Sequence, residues 1–167
     1  NITQICLIGY TNTGKSTLFN QLTKADVLAQ DKLFATLDTT TRELFIEGKK
    51  KGIISDTVGF IQQLPHSLIE AFKSTLSELH YADLLLQVVD ISDVNWKEHI
   101  TVANGILKEL GVEKNMLYVF NKADTPEEEH APVLERDLFQ PNVVVSAKTK
   151  DEIAPLISFL HDWKKES

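Results

Sequence analysis

Short apolar runs alternate with longer amphipathic segments along the chain. The apolar runs predict strands near residues 4–8, 42–47, 51–56, 84–90, 115–120 and 142–145. Apolar positions at helical spacing predict helices near 15–23, 67–80, 95–110, 127–138 and 151–165. This alternation is typical of a mostly parallel sheet whose strands are joined by crossover helices.

The connection between the second and third predicted strands differs from the others. Strands 42–47 and 51–56 are joined too tightly for a crossover helix, so we expect an antiparallel hairpin at one edge of the sheet. The run Leu84–Val89 is almost continuously apolar, as in a strand covered on both faces. The sequence therefore predicts an α/β fold with a six-stranded sheet, mostly parallel with one antiparallel edge strand, and helices on both faces.

Length and charge limit the possible classes of protein. At 167 residues, a single domain spanning 1–167 is expected, and because the chain begins almost directly on its first strand we interpret it as a domain cut from a longer protein. The net charge of −7 counts against an autonomous nucleic-acid binder, and no DNA partner is expected. The only basic run, Lys49–Lys51, is expected to lie in a solvated hairpin turn bent by Glu47 and Gly48.

Cysteine content and hydropathy indicate the compartment. Cys6 is the only cysteine and lies in the first apolar run, where we expect a small buried hydrophobe. No disulfide is possible within the chain, which fits a reducing cytosol. The sequence has no apolar run of about 18 residues, no signal peptide and no lipidation motif. We therefore expect a cytoplasmic monomer without a membrane partner.

A glycine-rich segment follows the first predicted strand. Gly9–Ser16 matches the pattern Gly-x-x-x-x-Gly-Lys-Ser/Thr between the apolar run Ile5–Ile8 and a predicted helix. Backbone N–H groups of such a turn point inward and the helix N-terminus adds partial positive charge, so the loop suits phosphate. Lys15 would reach the β- and γ-phosphates, and the Ser16 hydroxyl would ligate Mg²⁺. The predicted phosphate-binding residues are Gly9, Tyr10, Thr11, Asn12, Thr13, Gly14, Lys15, Ser16 and Thr17.

A polar segment at a later strand end points to guanine as the base. Asn121-Lys122-Ala123-Asp124 follows the predicted strand 115–120, and open α/β sheets bind ligands at the carboxyl ends of their strands. The Asp124 carboxylate can accept both the ring imino and the exocyclic amino hydrogens of guanine, a pair that adenine lacks. Asn121 would link this loop to the phosphate loop, and the Lys122 stem would cover one face of the base.

A second polar segment, Ser146-Ala147-Lys148, follows the predicted strand 142–145. We expect it to present a backbone N–H to the guanine carbonyl oxygen. Taken alone, Asn-Lys-x-Asp is more often a polar turn than a base-binding loop. After a phosphate loop and ahead of Ser-Ala-Lys, it predicts a guanine nucleotide, so GTP and GDP are the expected substrate and product.

A further segment, Asp56-Thr57-Val58-Gly59, ends the predicted strand 51–56. An acidic residue there can hold Mg²⁺ through water, and the Gly59 N–H can meet the γ-phosphate. The loop after it would then be ordered by GTP and released after hydrolysis. An Asp-Thr pair at a strand end is commonly only a turn, so this assignment depends on the other motifs.

The motifs carry a resemblance to one family. It rests on the segments Gly9–Asn20, Leu33–Asp38, Asp56–Ile61, Leu64–His66, Ala71–Leu76 and Ala82–Leu86. Over nearly its whole length, the chain resembles the G domain of the HflX family of ribosome-associated GTPases. The resemblance implies a Ras-like phosphate-loop GTPase fold, hydrolysis of GTP to GDP and phosphate, and the large ribosomal subunit as partner, contacted mainly through segments missing from this chain.

The resemblance also assigns the first switch segment. The nucleotide-facing residues that it implies are Phe34, Ala35, Thr36, Leu37 and Asp38. Thr36 is the implied Mg²⁺ ligand, although the residues alone do not distinguish it from the threonines at 39–41. The family usually has alanine at Thr13, where no penalty is expected, and proline at Thr39, where loss of the ring should loosen the segment before GTP binds. The residues expected to act in hydrolysis are Lys15, Thr36 and Gly59.

Phe60 departs from the generic GTPase pattern. In Ras-like proteins a glutamine at this position orients the attacking water, which a phenyl ring cannot do. We therefore expect slow intrinsic turnover, on the order of 10⁻⁴ to 10⁻² s⁻¹. Of the two arginines, only Arg42 lies near the first switch segment, so a built-in arginine finger is not expected. In some related GTPases an Asn at the place of Asn12 helps to hold K⁺, which does part of the same work.

Other functions would share some of these motifs. A small-molecule kinase would have the phosphate loop, but such enzymes clamp two phosphorylated substrates with several arginines, and this chain has two. A GTP-binding interaction module with little hydrolysis of its own would have all of the motifs. So would the cytosolic G domain of a membrane transporter.

Overall fold

A computed structural model of the chain describes residues 2–10, 13–23, 40–56, 77–122 and 124–165. The strands are β1 (Thr3–Gly9), β2 (Thr40–Ile46), β3 (Lys49–Asp56), β4 (Leu84–Asp90), β5 (Asn115–Asn121) and β6 (Asn142–Val144). All six predicted strands are confirmed.

The helices within these ranges alternate with the strands. The α-helices are α1 (Lys15–Thr23), α2 (Ser77–Tyr81), α3 (Trp96–Glu109), α4 (Val133–Arg136) and α5 (Ala154–Asp162). Two 3₁₀ turns are also present, at Glu127–Glu129 and Asp151–Ile153. Most of the helix predicted at 67–80 lies outside the described residues. Within the described ranges, the structure contains no helix with the length and apolar character that crossing a membrane requires.

The strands form one sheet in the order β2-β3-β1-β4-β5-β6. β2 is antiparallel to β3 and all other neighbours are parallel, so the predicted edge hairpin is confirmed. Glu47 and Gly48, both with positive φ, form its two-residue turn. β1 lies between β3 and β4, so the strands that follow it first lie on one side of it and then, from β4 onward, on the other. This arrangement opens a crevice at the carboxyl ends of the strands, where α/β sheets bind ligands.

Apolar side chains cover both faces of the sheet. Ile5 and Leu7 of β1 pack on one face with residues of α1 and α5. Cys6 and Ile8 pack on the other face with residues of α2 and α3, and Cys6 is free and buried as expected. β4 contributes buried side chains to both faces, as its apolar sequence predicts. Helices on both faces are therefore confirmed.

One polar side chain interrupts the apolar run of β4. Gln87 is 2% exposed, and its Nε2 donates to Oδ1 of Asn104 at 3.1 Å. Asn104 lies on α3 and in turn donates through Nδ2 to the Tyr118 hydroxyl of β5 at 3.1 Å. Buried polar groups that satisfy one another fix a unique packing arrangement. This network therefore sets the position of α3 over β4 and β5.

The predicted helix over 127–138 is wrong. The structure has a 3₁₀ turn at Glu127–Glu129 and the four-residue helix α4, with Pro132 immediately before α4. A proline disfavours helical backbone at the residue before it. The N–H of that residue, Ala131, donates instead to the Ile91 carbonyl at 2.8 Å. A tertiary hydrogen bond and a proline thus replace the helix that periodicity predicts.

The basic run and the end of the last helix also differ from expectation. Lys49–Lys51 opens β3 and does not form the turn. Lys51 Nζ donates to the carbonyl oxygens of Trp163 and, at 3.5 Å, of His161. The predicted solvated turn is therefore wrong for Lys51, which ties β3 to the chain after α5. The helix predicted to reach 165 ends at Asp162, because Trp163 has extended backbone.

Strand β3 approaches β1 closely at Gly52. A Cβ at Gly52 would lie 2.1 Å from the Thr3 carbonyl oxygen. We expect Gly52→Ala to lower the free energy of unfolding by about 1–3 kcal/mol, because the two strands must separate to admit the methyl group.

Gly105→Ala on α3 is the matched control for this substitution, since a Cβ there meets nothing within 4 Å. It should raise the free energy of unfolding by about 0.5–1 kcal/mol, because alanine is the better helix former. Urea denaturation followed by circular dichroism measures both changes. Wild-type stability of Gly52→Ala would contradict the close contact between β1 and β3.

Candidate nucleotide-binding site

The glycine-rich segment joins the end of β1 to the start of α1. Thr13 is 3% exposed, and its Oγ1 donates to the Tyr10 carbonyl at 2.8 Å. Gly14 has φ +85°, and a Cβ there would lie 2.3 Å from Nδ2 of Asn121. Both the backbone conformation and the close approach therefore require glycine. The helix begins at Lys15, so its first N–H groups point toward the crevice.

Lys15 and Asp56 form an ion pair beside this helix terminus. Their side chains are 7% and 16% exposed. The Ser16 hydroxyl donates to the same carboxylate. Burial raises the pKa of Asp56 above its ordinary value, although the Lys15 charge and the hydrogen bonds from Lys15 and Ser16 act in the opposite direction. The arrangement brings a cation and two hard oxygen donors together at the end of β3.

Asn121, the last residue of β5, connects three segments. Its side chain is 1% exposed. Nδ2 donates to the Thr13 carbonyl at 2.8 Å, which is the link to the phosphate loop that the sequence predicts. Oδ1 accepts from the backbone N–H of Ala147 at 2.9 Å. One buried amide therefore fixes the phosphate loop, the end of β5 and the segment after β6 relative to one another.

The Asp124 carboxylate lies between two donors from the segment after β6. Ser146 Oγ donates to Oδ1 at 2.8 Å, and Lys148 Nζ lies 2.8 Å from Oδ2. Hydrogen bonds from Lys148 and Ser146 hold the pKa of Asp124 below its ordinary value, and Asp124 raises the pKa of Lys148 in turn. The Asp124 side chain is 23% exposed. An ionised carboxylate is therefore held in place with part of its surface open to solvent.

The backbone N–H groups after β6, one of which is predicted to meet the guanine carbonyl oxygen, have partners within the protein. Ala147 N–H donates to Asn121, and Ser146 N–H donates to the Glu152 carbonyl at 3.3 Å. Lys148 N–H has a longer contact, 3.4 Å, with Ser146 Oγ. All three donors are thus used within the protein, and Lys148 N–H is the most easily redirected because its hydrogen bond is the longest.

Lys122 has φ +71°, a conformation that side-chain-bearing residues rarely adopt. Its carbonyl accepts from the N–H of Thr125 at 3.0 Å and from Thr125 Oγ1 at 2.6 Å. Its ammonium lies 3.0 Å from Oδ2 of Asp90. Asp90 is not among the predicted site residues, although an acidic residue at the end of a buried central strand is a usable signal.

Tyr10 and Thr17 are also predicted to bind phosphate, and the structure shows what surrounds each of them. The Tyr10 ring stacks on His99 of α3, with centroids 3.9 Å apart. Burial, and next the charge of Glu98, raise the pKa of Tyr10. The Tyr10 side chain therefore packs against α3. Thr17 lies in the first turn of α1 and is exposed.

The remaining predicted site residues lie outside the described part of the chain. They are Thr11, Asn12, Phe34, Ala35, Thr36, Leu37, Asp38, Thr57, Val58 and Gly59. Phe60 also lies outside it. Among the described residues, the structure brings together Lys15, Asp56 and the two segments predicted to bind the base.

Solved structures share this architecture. A GTP-binding protein from Sulfolobus solfataricus in complex with GDP matches with a TM-score of 0.67 at 29% sequence identity, over 95% of this chain and 53% of that one. A variant of Aquifex aeolicus Era bound to GDP and AlF₄⁻ matches with a TM-score of 0.70 at 23% identity, over 98% of this chain and 57% of that one, which is a likeness of fold alone. The predicted Ras-like phosphate-loop GTPase fold is confirmed.

Sequence comparison assigns the family. GTPase HflX from Magnetococcus marinus is 51% identical over 158 residues, which cover 93% of this chain and 36% of that protein. The chain thus spans about a third of its curated relative, and the predicted resemblance to the HflX G domain is confirmed. A family model described as 50S ribosome-binding GTPase matches residues 4–122. The chain belongs to the 50S ribosome-binding GTPase family.

Proposed function

We propose that the chain is the single, monomeric G domain of a cytoplasmic GTPase that hydrolyses GTP with Mg²⁺ and works with the large ribosomal subunit. The observation that carries the proposal is the buried Asn121 amide, which joins the phosphate loop to both base-binding segments. The family description supports the ribosomal partner. Because the chain spans about 36% of its relative, we place most ribosome contacts in other parts of the longer protein.

Guanine recognition is assigned to the two segments that follow β5 and β6, which Asn121 connects. Asp124 accepts the ring imino and exocyclic amino hydrogens of the base, and its lowered pKa keeps it ionised for that task. Ser146 orients this carboxylate by donating to Oδ1. The Lys122 stem covers one face of the base. Adenine offers no matching pair of donors, so the site selects guanine.

Phosphate binding is assigned to the loop before α1. Backbone N–H groups and the Lys15 ammonium contact the phosphate oxygens. The donors Ser16 and Asp56 suit Mg²⁺, which prefers hard oxygen ligands, with Ser16 as direct ligand and Asp56 acting through water. When bound, Mg²⁺ supplies positive charge against the phosphates. In this proposal Thr36 completes the metal ligands and the Gly59 N–H contacts the γ-phosphate.

Activation is assigned to the ribosome. Phe60 cannot orient the attacking water, so intrinsic hydrolysis is slow in this proposal. K⁺ near Asn12 would supply part of the missing charge. The ribosome contact supplies or positions the remainder.

Lys15→Ala should weaken GTP and GDP binding about 100-fold or more, because it removes the phosphate-facing ammonium and leaves Asp56 buried without that partner. Fluorescence titration with N-methylanthraniloyl GDP measures the change. Lys50→Ala is the matched control, since Lys50 pairs with Glu43 on the exposed face of the hairpin, and it should bind as wild type. Retained affinity in a folded Lys15→Ala protein would remove Lys15 from the phosphate site.

Asp124→Asn should reverse base preference from guanine to xanthine nucleotides. The amide now donates where the carboxylate accepted, which suits the xanthine carbonyl, and we expect the ratio of GDP to XDP affinity to fall by about 10³ or more. Competition titration with both diphosphates measures the ratio. Asp137→Asn, a change of the same type at an exposed position after α4, should leave it unchanged. An unchanged ratio in Asp124→Asn would show that another residue reads the base.

Large ribosomal subunits should raise single-turnover GTP hydrolysis by the full-length protein at least about tenfold over its slow intrinsic rate. The isolated domain should respond less, because its charge of −7 gives it little affinity for RNA. Parallel reactions in K⁺ and Na⁺ buffers test the cation. Equal hydrolysis rates in the two buffers would remove K⁺ from the proposal. Absence of stimulation of the full-length protein would contradict the ribosome as activator.

A further inference from the structure

Asp90 is held in a fixed orientation at the end of β4. Its side chain is 13% exposed. One carboxylate oxygen, Oδ1, accepts from the N–H of Ser92 at 2.9 Å and from Ser92 Oγ at 2.6 Å. The other oxygen, Oδ2, lies 3.0 Å from Nζ of Lys122. The two oxygens therefore have separate tasks, one fixing the carboxylate and the other binding the lysine.

The sheet places Asp90 beside the base-binding loop. Asp90 of β4 is in register with Asn121 of β5, the residue before Lys122. The N–H of Ile91 donates to the Asn121 carbonyl at 3.0 Å, which extends the pairing past the strand end. Because register is fixed by the sheet, Asp90 lies directly beside the residue that precedes Lys122.

Lys122 is restrained at its backbone as well as at its ammonium. Its carbonyl accepts two hydrogen bonds from Thr125. His130 Nε2 contacts both the Thr125 carbonyl, at 2.8 Å, and Thr125 Oγ1, at 3.0 Å. With both ends fixed, the methylene stem between them has few conformations left.

This restraint matters because lysine is a flexible residue. A free lysine side chain samples many rotamers, and part of this rotamer entropy is lost when the stem packs against a ligand. If the stem is already ordered before the ligand arrives, that loss does not oppose binding. We propose that Asp90 is a positioning residue for guanine nucleotides, which acts by holding the Lys122 stem in place to cover the base. This inference rests on the guanine site proposed above.

A solely local role for Asp90 makes a different prediction. The bonds to Ser92 form a turn between β4 and α3, and such a turn stabilises the fold whether or not Lys122 is present. The two roles therefore differ in whether the effect of Asp90 on nucleotide binding requires the Lys122 ammonium.

A double-mutant cycle in the full-length protein answers this question. Asp90→Asn keeps the size of the side chain and its ability to accept from Ser92, but removes the charge that holds the ammonium. We expect it to speed dissociation of N-methylanthraniloyl GDP about tenfold, as loss of a partly buried charge-assisted hydrogen bond would. In a Lys122→Met background, Asp90→Asn should cause no further change. Asp93→Asn, in the same turn but bonded to Asn95, is the control and should dissociate as wild type.

Three results would each contradict either the role of Asp90 or the proposed function. An equal effect of Asp90→Asn with and without Lys122 would overturn the inference and leave Asp90 with a local role. Wild-type dissociation from Lys122→Met alone would also overturn it, because that variant loses the contact with Asp90, while leaving the guanine site intact. Absence of GDP binding by the wild-type protein would overturn the proposed function itself.

A second variant keeps the inference testable if Asp90→Asn does not fold. Ser92→Ala removes the Oγ bond to Oδ1 and so loosens the carboxylate without changing its charge. We expect a smaller acceleration of GDP dissociation that again disappears in the Lys122→Met background. An acceleration that persists there would overturn the role through Lys122.

Discussion

The geometry of the site depends on the two hydrogen bonds of one buried amide. Asn121 donates to the Thr13 carbonyl and accepts from the Ala147 N–H, so it sets the distance between the phosphate loop and the segment that orients Asp124. The neighbouring Gly14 must lack a Cβ for the amide to reach the loop. An amide is suited to this place because it donates and accepts at once, whereas a carboxylate would lack the donor.

The sheet makes this contact possible and restricts where it can occur. β5 is parallel to β4, and β4 is parallel to β1, so the end of β5 and the loop after β1 reach the same edge of the sheet. The buried network of Gln87, Asn104 and Tyr118 then fixes α3 against these strands. Packing beneath the site thus determines which side chains can meet above it.

The local sequence pattern was enough to predict the strand positions and the motif residues. It was not enough to predict contacts between segments that are distant in sequence. Apolar runs located every strand in the part of the chain that the structure describes. Motif spacing located Lys15, Asn121 and Asp124, because each motif depends on residues close in sequence. The helix over 127–138 was wrong because the Ala131 N–H bonds to Ile91, a contact between distant segments. Asp90 was missed for the same reason, since its partner Lys122 becomes a neighbour only through strand register.

The three lysines of the described site share one electrostatic arrangement. Lys15 pairs with Asp56, Lys122 with Asp90 and Lys148 with Asp124. Each positive charge is thus matched by a carboxylate, and the site gains little excess positive potential from these residues. A site of this kind attracts polyanions weakly, in keeping with the net charge of −7. In the proposed site, affinity must then come from directed contacts, which the Asn121 amide aligns, and directed contacts are what selection of one base requires.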